Sequence, residues 1–206
     1  MNLAVFASGR GSNLKAMIEA SNCGKLDARV VLVLSDKSDA GVFETARWND
    51  IATAHIVRPS FSSDSEFDQA VIALLREHEV DFIALAGYLR MISPSVVKHY
   101  TDRILNVHPA LLPAFGGKGM YGRKVHEAVL EYGCKVSGAT VHLVEEGYDT
   151  GPPVLQRCVP VKHADTVETL AARVLEVEHK IYPEALQLFA EKRVEIQGRK
   201  VIIRSN

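Results

Sequence analysis

The sequence lacks a long apolar run, which excludes a protein that spans a membrane by helices. No stretch of its 206 residues approaches the roughly 18 consecutive apolar residues that such a helix needs. The first segment, MNLAVFASGRG, has no basic leader and meets a glycine at position 9. We therefore expect a strand at the N-terminus and not a signal peptide.

Cysteine is scarce, and neither sign of charge is in excess. Cys23, Cys134 and Cys158 are odd in number, widely spaced and contain no CxxC pair, which favours a reducing compartment without disulfides or a zinc site. The formal net charge of −1 gives no basic surface for nucleic acid or an anionic membrane. These features predict a cytoplasmic protein that binds neither nucleic acid nor membrane.

The sequence does contain a regular alternation of short apolar runs and helical patterns. Its composition, 47% apolar and 24% charged, is that of a soluble globular protein, and its length fits a single domain over residues 1–206. Strands are predicted at 2–8, 28–36, 54–58, 81–87 and 103–107, and helices at 13–24, 41–49, 64–79 and 94–99. This order predicts an α/β fold with a doubly wound, mostly parallel sheet.

The second half of the chain has a different pattern. Two strands joined by a glycine-containing connection, at 135–146 and 153–161, predict an added hairpin-like strand pair. A long helix over 166–191 closes the fold, with Asp165 as its expected N-cap and Glu168 three residues later. Pro183 should kink or interrupt that helix.

The loop SGRGSN, residues 8–13, follows the first strand, at the edge where open parallel sheets bind ligands. Its glycines allow close approach, and the N–H groups at the start of the helix attract an anion such as a phosphate. A dinucleotide site would have a third glycine where the chain has Leu14, although Asp36 could act as its ribose-binding acid. A plain turn with Ser12 or Asn13 as N-cap is the alternative.

Asn106 and His108 lie two residues apart at the end of the fifth strand, so their side chains point the same way. An amide and an imidazolium at one spot would stabilise an oxygen that gains negative charge, and the histidine could transfer a proton near neutral pH. Asp149, in the most constrained part of the 144–153 loop, is the acid expected to raise the pKa of His108. A structural His–Pro turn is the alternative.

Four glycines fall within residues 116–122, which predicts a loop that is mobile when empty and serves as a lid or as a plain connection. Six further histidines are expected to be surface or structural residues. They are His55, His78, His99, His126, His142 and His163. Of these, His142 lies closest to the predicted active-site strands.

Several segments together resemble the glycinamide ribonucleotide formyltransferases of purine biosynthesis. They are SGRGSN (8–13), LAGYLRMISP (85–94), LNVHPALLPAF (105–115), GATVHLVEEGYDTGP (138–152) and RVLEVEHKIYP (173–183). The likeness covers essentially the whole chain in the same order. The Asn-x-His-Pro and Asp-x-Gly motifs are shared among enzymes that use 10-formyltetrahydrofolate on this fold, whereas the GSN loop and the Glu178–His179 pair are more specific to this branch.

The resemblance implies a Rossmann-like formyltransferase fold that transfers a formyl group from 10-formyltetrahydrofolate to the amino group of 5-phosphoribosylglycinamide. Its partners would be these small molecules, no metal is implied because the donor is already activated, and a monomer or weak homodimer is expected. The resemblance implies that Gly11, Ser12 and Asn13 bind the phosphate and that Glu178 contacts the glycinamide end. Catalysis would involve His108, Asn106 and Asp149. The residues implied in folate binding are Leu89, Arg90, Met91, Ile92, Asn106, Val144, Glu145 and Asp149.

The chain departs from the family pattern at two places. Asp64 stands where members often carry an arginine associated with the glutamate tail of the folate, so Arg58 or Arg90 could take over that contact. The lid, AFGGKGMYG, lacks the proline that follows the phenylalanine in many relatives, which predicts a looser lid with unchanged chemistry.

Other readings of the sequence remain open. A formyltetrahydrofolate hydrolase of the same fold would keep the histidine and the aspartate but usually carries an extra N-terminal domain, and a methionyl-tRNA formyltransferase would need a further C-terminal domain and a basic surface. A nicotinamide-dependent oxidoreductase would explain the first loop and Asp36, but it leaves Asn106, His108 and Asp149 without a role. A nucleotide-binding module without catalysis is the last alternative.

Overall fold

The computed structural model describes residues 1–205 and comprises two compact units, Met1–Leu105 and the chain from Asn106 onward. The first unit alternates strands and helices. Its elements are β1 (Asn2–Phe6), α1 (Ser12–Asn22), β2 (Arg29–Ser35), α2 (Val42–Arg47), β3 (Ala52–His55), α3 (Asp64–Glu77), β4 (Phe82–Leu85) and α4 (Pro94–His99). Strand β5 (Ile104–His108) begins in this unit and ends in the next.

The strands of the first unit are parallel, as the alternation with helices predicts. β1 pairs with β2 on one side and with β4 on the other, and β2 also pairs with β3. Every residue of β4, and every residue of β1 after Asn2, is buried. Such unbroken apolar strands are typical of a sheet covered on both faces, which is why they can be recognised from sequence.

The second unit carries the antiparallel addition and the long helix. Its elements are α5 (Arg123–Glu131), β6 (Val136–Leu143), β7 (Pro153–Pro160), α6 (Val167–Ala190), β8 (Val194–Gln197) and β9 (Lys200–Ile203). β6 and β7 pair antiparallel over most of their length, and α6 buries Leu170, Val174 and Ile181 on its apolar face. The strand order is β3-β2-β1-β4-β5-β6-β7, with β8 and β9 in a separate two-stranded sheet.

The predicted fold class is confirmed: the sheet is mostly parallel, with an antiparallel strand pair and a long last helix. Within residues 1–205, no helix is both long and apolar enough to cross a membrane. One strand boundary was wrong, since β3 spans Ala52–His55 and not residues 54–58. Arg58 instead begins a short 3-10 helix that ends at Ser60.

The start and the continuity of α6 also differ from the prediction. Thr166 is the N-cap, and its hydroxyl accepts from the N–H of Thr169, whose own hydroxyl accepts from the N–H of Thr166. The carboxylate of Asp165 instead accepts two hydrogen bonds from Arg173, each of 2.7 Å. The helix continues through Pro183, so that residue does not interrupt it. Helix α5 and the β8–β9 hairpin were not predicted.

Gly138 on β6 permits the backbone of Arg157 and the side chain of Leu111 to approach β6 more closely than a residue with a Cβ atom would allow. A Cβ atom at this position would lie 2.1 Å from the carbonyl oxygen of Arg157 on β7 and 2.7 Å from the side chain of Leu111. We expect Gly138→Ala to lower the free energy of unfolding by about 1–3 kcal/mol, because the added methyl overpacks rigid backbone. Urea denaturation measures this change.

Gly9→Ala is the matched control for Gly138→Ala. No atom lies within 4 Å of a Cβ atom built on Gly9, and its φ is outside the left-handed region. The control should change the free energy of unfolding by less than about 1 kcal/mol. Equal stability of the two variants would show that the β6–β7 pair can shift to admit the methyl.

Candidate active site

Three polar side chains predicted to act together converge in the second unit. Asn106 and His108 both project from the end of β5, and the loop between β6 and β7 brings Asp149 to them. The Nδ1 atom of His108 lies 3.5 Å from Oδ2 of Asp149, and Nδ2 of Asn106 lies 3.5 Å from Oδ1 of the same carboxylate. One carboxylate therefore lies beside both the imidazole and the amide. The sequence predicted that Asp149 lies near His108, but not its contact with Asn106.

The loop that carries Asp149 is held tightly at its ends. The N–H of Leu143 donates to the carbonyl of Pro152 at 3.0 Å, and a Cβ atom on Gly151 would lie 1.8 Å from the carbonyl oxygen of Leu143. Asp149 itself has a φ of 54°, in the left-handed region that aspartate and asparagine tolerate better than most residues. The loop thus fixes the carboxylate by its backbone.

The glycine-rich segment 116–122 contributes backbone groups to the same cluster. The N–H of Gly117 donates to Oδ2 of Asp149 at 2.9 Å. The carbonyl of Phe115 accepts from Nε2 of His108 at 2.8 Å, so Nε2 carries a hydrogen and Nδ1 is the nitrogen that faces Asp149. The start of the predicted lid is therefore bonded to both the histidine and the aspartate in this structure.

His142 belongs to the cluster, although the sequence placed it among surface or structural histidines. It lies on β6 with 2% of its surface exposed, and its Nδ1–H donates to the carbonyl of Leu143 at 2.7 Å. Its Nε2 atom lies 3.1 Å from Nδ2 of Asn106 and 3.6 Å from Oδ1 of Asp149. With Nδ1 as donor, Nε2 can accept from the amide, which orients the NH₂ group of Asn106.

Burial determines the protonation of His108 more than its charged neighbour does. Burial lowers the pKa of His108 below 6.5, and the charge of Asp149 and the carbonyl of Phe115 raise it only in part. The pKa of Asp149 is also lowered: burial raises it, but the contact with His142, the charge of His108 and the N–H of Gly117 outweigh that effect. The predicted raising of the pKa by Asp149 exists, but the net shift of His108 is downward.

We expect His108 to titrate below pH 6.5 in the free protein. The proton resonances of the imidazole, followed by NMR from pH 4 to 8, give its midpoint, and their absence in His108→Asn assigns them. The ionisable groups facing it are Asp149, His142 and His126. Since the unfolded chain binds this proton more readily, His108 destabilises the fold as the pH falls through 6.5. A midpoint above 6.5 would contradict the burial argument.

The first unit contains the loop predicted to bind an anion. Helix α1 begins after Gly11, a left-handed N-cap with a φ of 83° that offers no side-chain hydrogen bond, so the alternative of Ser12 or Asn13 as N-cap is wrong. A Cβ atom on Gly11 would also lie 2.8 Å from Val42. A helix start without a side-chain cap leaves its first N–H groups directed outward, which suits an anion.

Asp36 does not have the surroundings of a ribose-binding acid. Its side chain is 5% exposed; one oxygen accepts from the hydroxyl of Ser8 at 2.5 Å and the other from Nε of Arg90 at 2.9 Å. The hydroxyl of Ser8 accepts in turn from the N–H of Leu89 at 3.0 Å. Asp36 therefore connects the end of β2 to the segment that follows β4. Its use as a ribose-binding acid was one of the two features that favoured an oxidoreductase, and these contacts do not support it.

The remaining predicted residues differ in exposure. Leu89 and Met91 are 47% and 51% exposed, Ile92 and Glu178 are buried, and Glu145 is exposed in the β6–β7 loop beside the half-buried Val144. Both arginines suggested as replacements at the glutamate tail already have carboxylate partners. Arg58 pairs with Asp64, and Arg90 pairs with Asp36.

Comparison with known proteins shows which family this chain resembles. The family described as "Formyl transferase" matches residues 1–186. Phosphoribosylglycinamide formyltransferase of Bacillus subtilis is 41% identical over 89% of this chain and 92% of its own length. The crystal structure of glycinamide ribonucleotide transformylase 1 from Symbiobacterium toebii has a TM-score of 0.93 at 42% identity, covering 100% of this chain and 94% of that one.

Some relatives are longer than this chain. The chloroplastic phosphoribosylglycinamide formyltransferase of Arabidopsis thaliana is 47% identical over 93% of this chain. The match covers 66% of the length of that plant protein. The chain spans 19% of the trifunctional purine biosynthetic protein adenosine-3 of Gallus gallus. The bacterial relative is covered almost completely, and on that evidence the chain belongs to the formyl transferase family and, within it, to the phosphoribosylglycinamide formyltransferases.

Proposed function

We propose that this chain transfers the formyl group of 10-formyltetrahydrofolate to the amino group of 5-phosphoribosylglycinamide, which yields formylglycinamide ribonucleotide and tetrahydrofolate in purine biosynthesis. The observation that supports this most directly is the contact of Asp149 with both His108 and Asn106 in a member of this family. Formyl transfer to an amine requires a stabilised oxyanion and a route for a proton, and these side chains can supply both.

In the proposed reaction the amine nitrogen bonds to the formyl carbon, and the bond from that carbon to the folate nitrogen breaks. Negative charge develops on the formyl oxygen in between. His108 and the NH₂ group of Asn106 would donate to this oxygen. Nδ1 of His108 becomes a donor when the ring is protonated. It and Nδ2 of Asn106 each lie 3.5 Å from Asp149, too far for strong hydrogen bonds, so both can donate to a substrate oxygen instead at little cost.

Asp149 would favour the protonated form of His108 and help to move protons during the reaction. One proton must leave the attacking amine and one must reach the folate nitrogen as it departs. Because burial lowers the pKa of His108, a nearby oxyanion would favour its protonated form most strongly when the charge is greatest. Stabilisation that grows toward the transition state accelerates the reaction, whereas uniform binding does not.

The test compares two mixtures of the protein with 10-formyltetrahydrofolate, one with glycinamide ribonucleotide and one without. We expect the folate to lose its formyl group only when the amine is present. Loss of the formyl group in both mixtures would identify a hydrolase, and no reaction in either would leave a binding module. Titration with NADH, followed by fluorescence, addresses the oxidoreductase alternative.

The roles of Gly11, Ser12, Asn13, Glu178 and residues 89–92 stay predictions from the family resemblance. The same holds for the cytoplasmic location, the absence of a metal requirement and the monomeric or weakly dimeric state.

A further inference from the structure

The segment from Pro109 to Phe115 connects His108 to its own hydrogen-bond partner. Nε2 of His108 donates to the carbonyl of Phe115, seven residues further along the chain, at 2.8 Å. The position of this carbonyl depends on the path of the residues between them. Any side chain that fixes this path therefore also orients the imidazole.

Thr140, in the middle of β6, forms hydrogen bonds with the backbone of this segment. Its hydroxyl accepts from the N–H of Leu112 at 3.0 Å and donates to the carbonyl of Ala110 at 2.6 Å. Thr140 is completely buried, and Leu112 is 8% exposed. One hydroxyl thus satisfies two backbone groups that water reaches poorly.

Gln156 completes the arrangement from β7, where it lies directly opposite Thr140 in the antiparallel pair. Its Nε2 group donates to the carbonyl of Leu112 and to the hydroxyl of Thr140, both at 2.9 Å. A hydroxyl offers one donor and two acceptor sites, and all three are used at Thr140. Loss of this hydroxyl would leave several polar groups without partners, so the segment would have to move.

From this network we propose that Thr140 and Gln156 are positioning residues, which orient His108 through the Ala110–Leu112 segment and the carbonyl of Phe115. Neither residue belongs to the set predicted to touch a substrate. The activity measurements rest on the proposed formyl transfer, whereas the NMR measurement depends only on the position of the imidazole.

The decisive variant is Thr140→Val, which keeps the shape of the side chain and removes the hydroxyl. We expect kcat for formyl transfer to fall roughly 10- to 100-fold, since a displacement of about 1 Å at a reacting group can cost this much. KM for both substrates should change by less than about threefold, because the residue is expected to act on the orientation of His108 and not on binding. Thr140→Ser, which restores the hydroxyl, should recover kcat to within about threefold of the original protein.

NMR titration of His108 provides a readout that loss of stability alone does not move. The carbonyl of Phe115 raises the pKa of His108, so a weaker contact should shift the midpoint to lower pH in Thr140→Val. Ser137→Ala is the matched control, because Ser137 lies on the same strand, is 3% exposed, and its hydroxyl has no hydrogen-bond partner among residues 1–205. This control should keep both the midpoint and kcat.

Gln156→Ala keeps the proposal testable should Thr140→Val not fold, because Gln156 is exposed. Gln156→Ala should lower kcat about threefold or more. It should also shift the titration midpoint of His108 to lower pH, by less than Thr140→Val does. An unchanged midpoint and kcat in folded Thr140→Val, or in Gln156→Ala where Thr140→Val does not fold, would overturn the proposal. If the original protein shows no formyl transfer, the proposed function fails, while the midpoints still decide the positioning role.

Discussion

His108→Ala should lower the rate of formyl transfer at least 10²- to 10³-fold, which is the typical loss when one donor to a developing oxyanion is removed. The substitution takes away the imidazole that contacts both Asp149 and the carbonyl of Phe115. The effect should fall on kcat, because the interaction strengthens as charge develops on the formyl oxygen. Steady-state assays at saturating concentrations of both substrates measure it.

The matched control is His163→Ala, which removes an exposed histidine of the same unit. Its kcat should equal that of the original protein. Circular dichroism and thermal unfolding of both variants separate a loss of catalysis from a loss of fold. Normal turnover in folded His108→Ala would remove this residue from the proposed mechanism.

Asp149→Asn is expected to reduce kcat by about 10² to 10⁴, the range usually contributed by a positioned acid or base. Asparagine has nearly the same shape and tolerates the φ of 54° at this position, so the loop should keep its backbone. The variant loses the negative charge that raises the pKa of His108, and the NMR midpoint of the imidazole should therefore fall further.

Asp102→Asn is a suitable control for this variant, since Asp102 also has a left-handed backbone, with a φ of 60°, but is exposed. It should leave kcat and the His108 midpoint unchanged. If Asp149→Asn retained more than a tenth of the original kcat, proton transfer would have to be assigned to another group or to solvent.

Strands β1, β2 and β4 of the first unit could be predicted closely because they are mostly buried apolar runs, whereas β3 has no buried residue and its bounds were misplaced. Such apolar runs of four to seven residues, separated by amphipathic helices, leave few other arrangements. Two regions of the second unit were missed. Helix α5 is amphipathic, with Val125, His126 and Val129 buried, but it follows a glycine-rich segment that was interpreted as a lid, and the β8–β9 hairpin is largely half-buried or exposed.

The choice of N-cap at α6 shows a limit of local sequence patterns. Asp165 and Thr166 are adjacent and both can cap a helix. Thr166 takes the role because Asp165 is engaged by Arg173, eight residues away in the sequence. The competing partner belongs to the folded helix, so the capping motif alone does not reveal it.

The candidate site was predictable where its residues share one strand or one constrained loop. Asn106 and His108 follow from the two-residue period of β5, and Asp149 from the rigidity of its loop. His142 was missed because its contact with Asn106 depends on which strands are neighbours. The net fall in the pKa of His108 was missed because the depth of burial is a property of the packed structure.

The left-handed backbone at Asp149 has a consequence for how this site can vary. Glutamate adopts such a conformation less readily than aspartate, although Glu79 has a φ of 50°, so lengthening the side chain at position 149 would add strain to the loop as well as move the charge. A saturation library at this codon should retain a folded loop chiefly with aspartate, asparagine and glycine. Of these three, only aspartate is ionisable, so the conformation of the chain and the need for charge together leave a single choice.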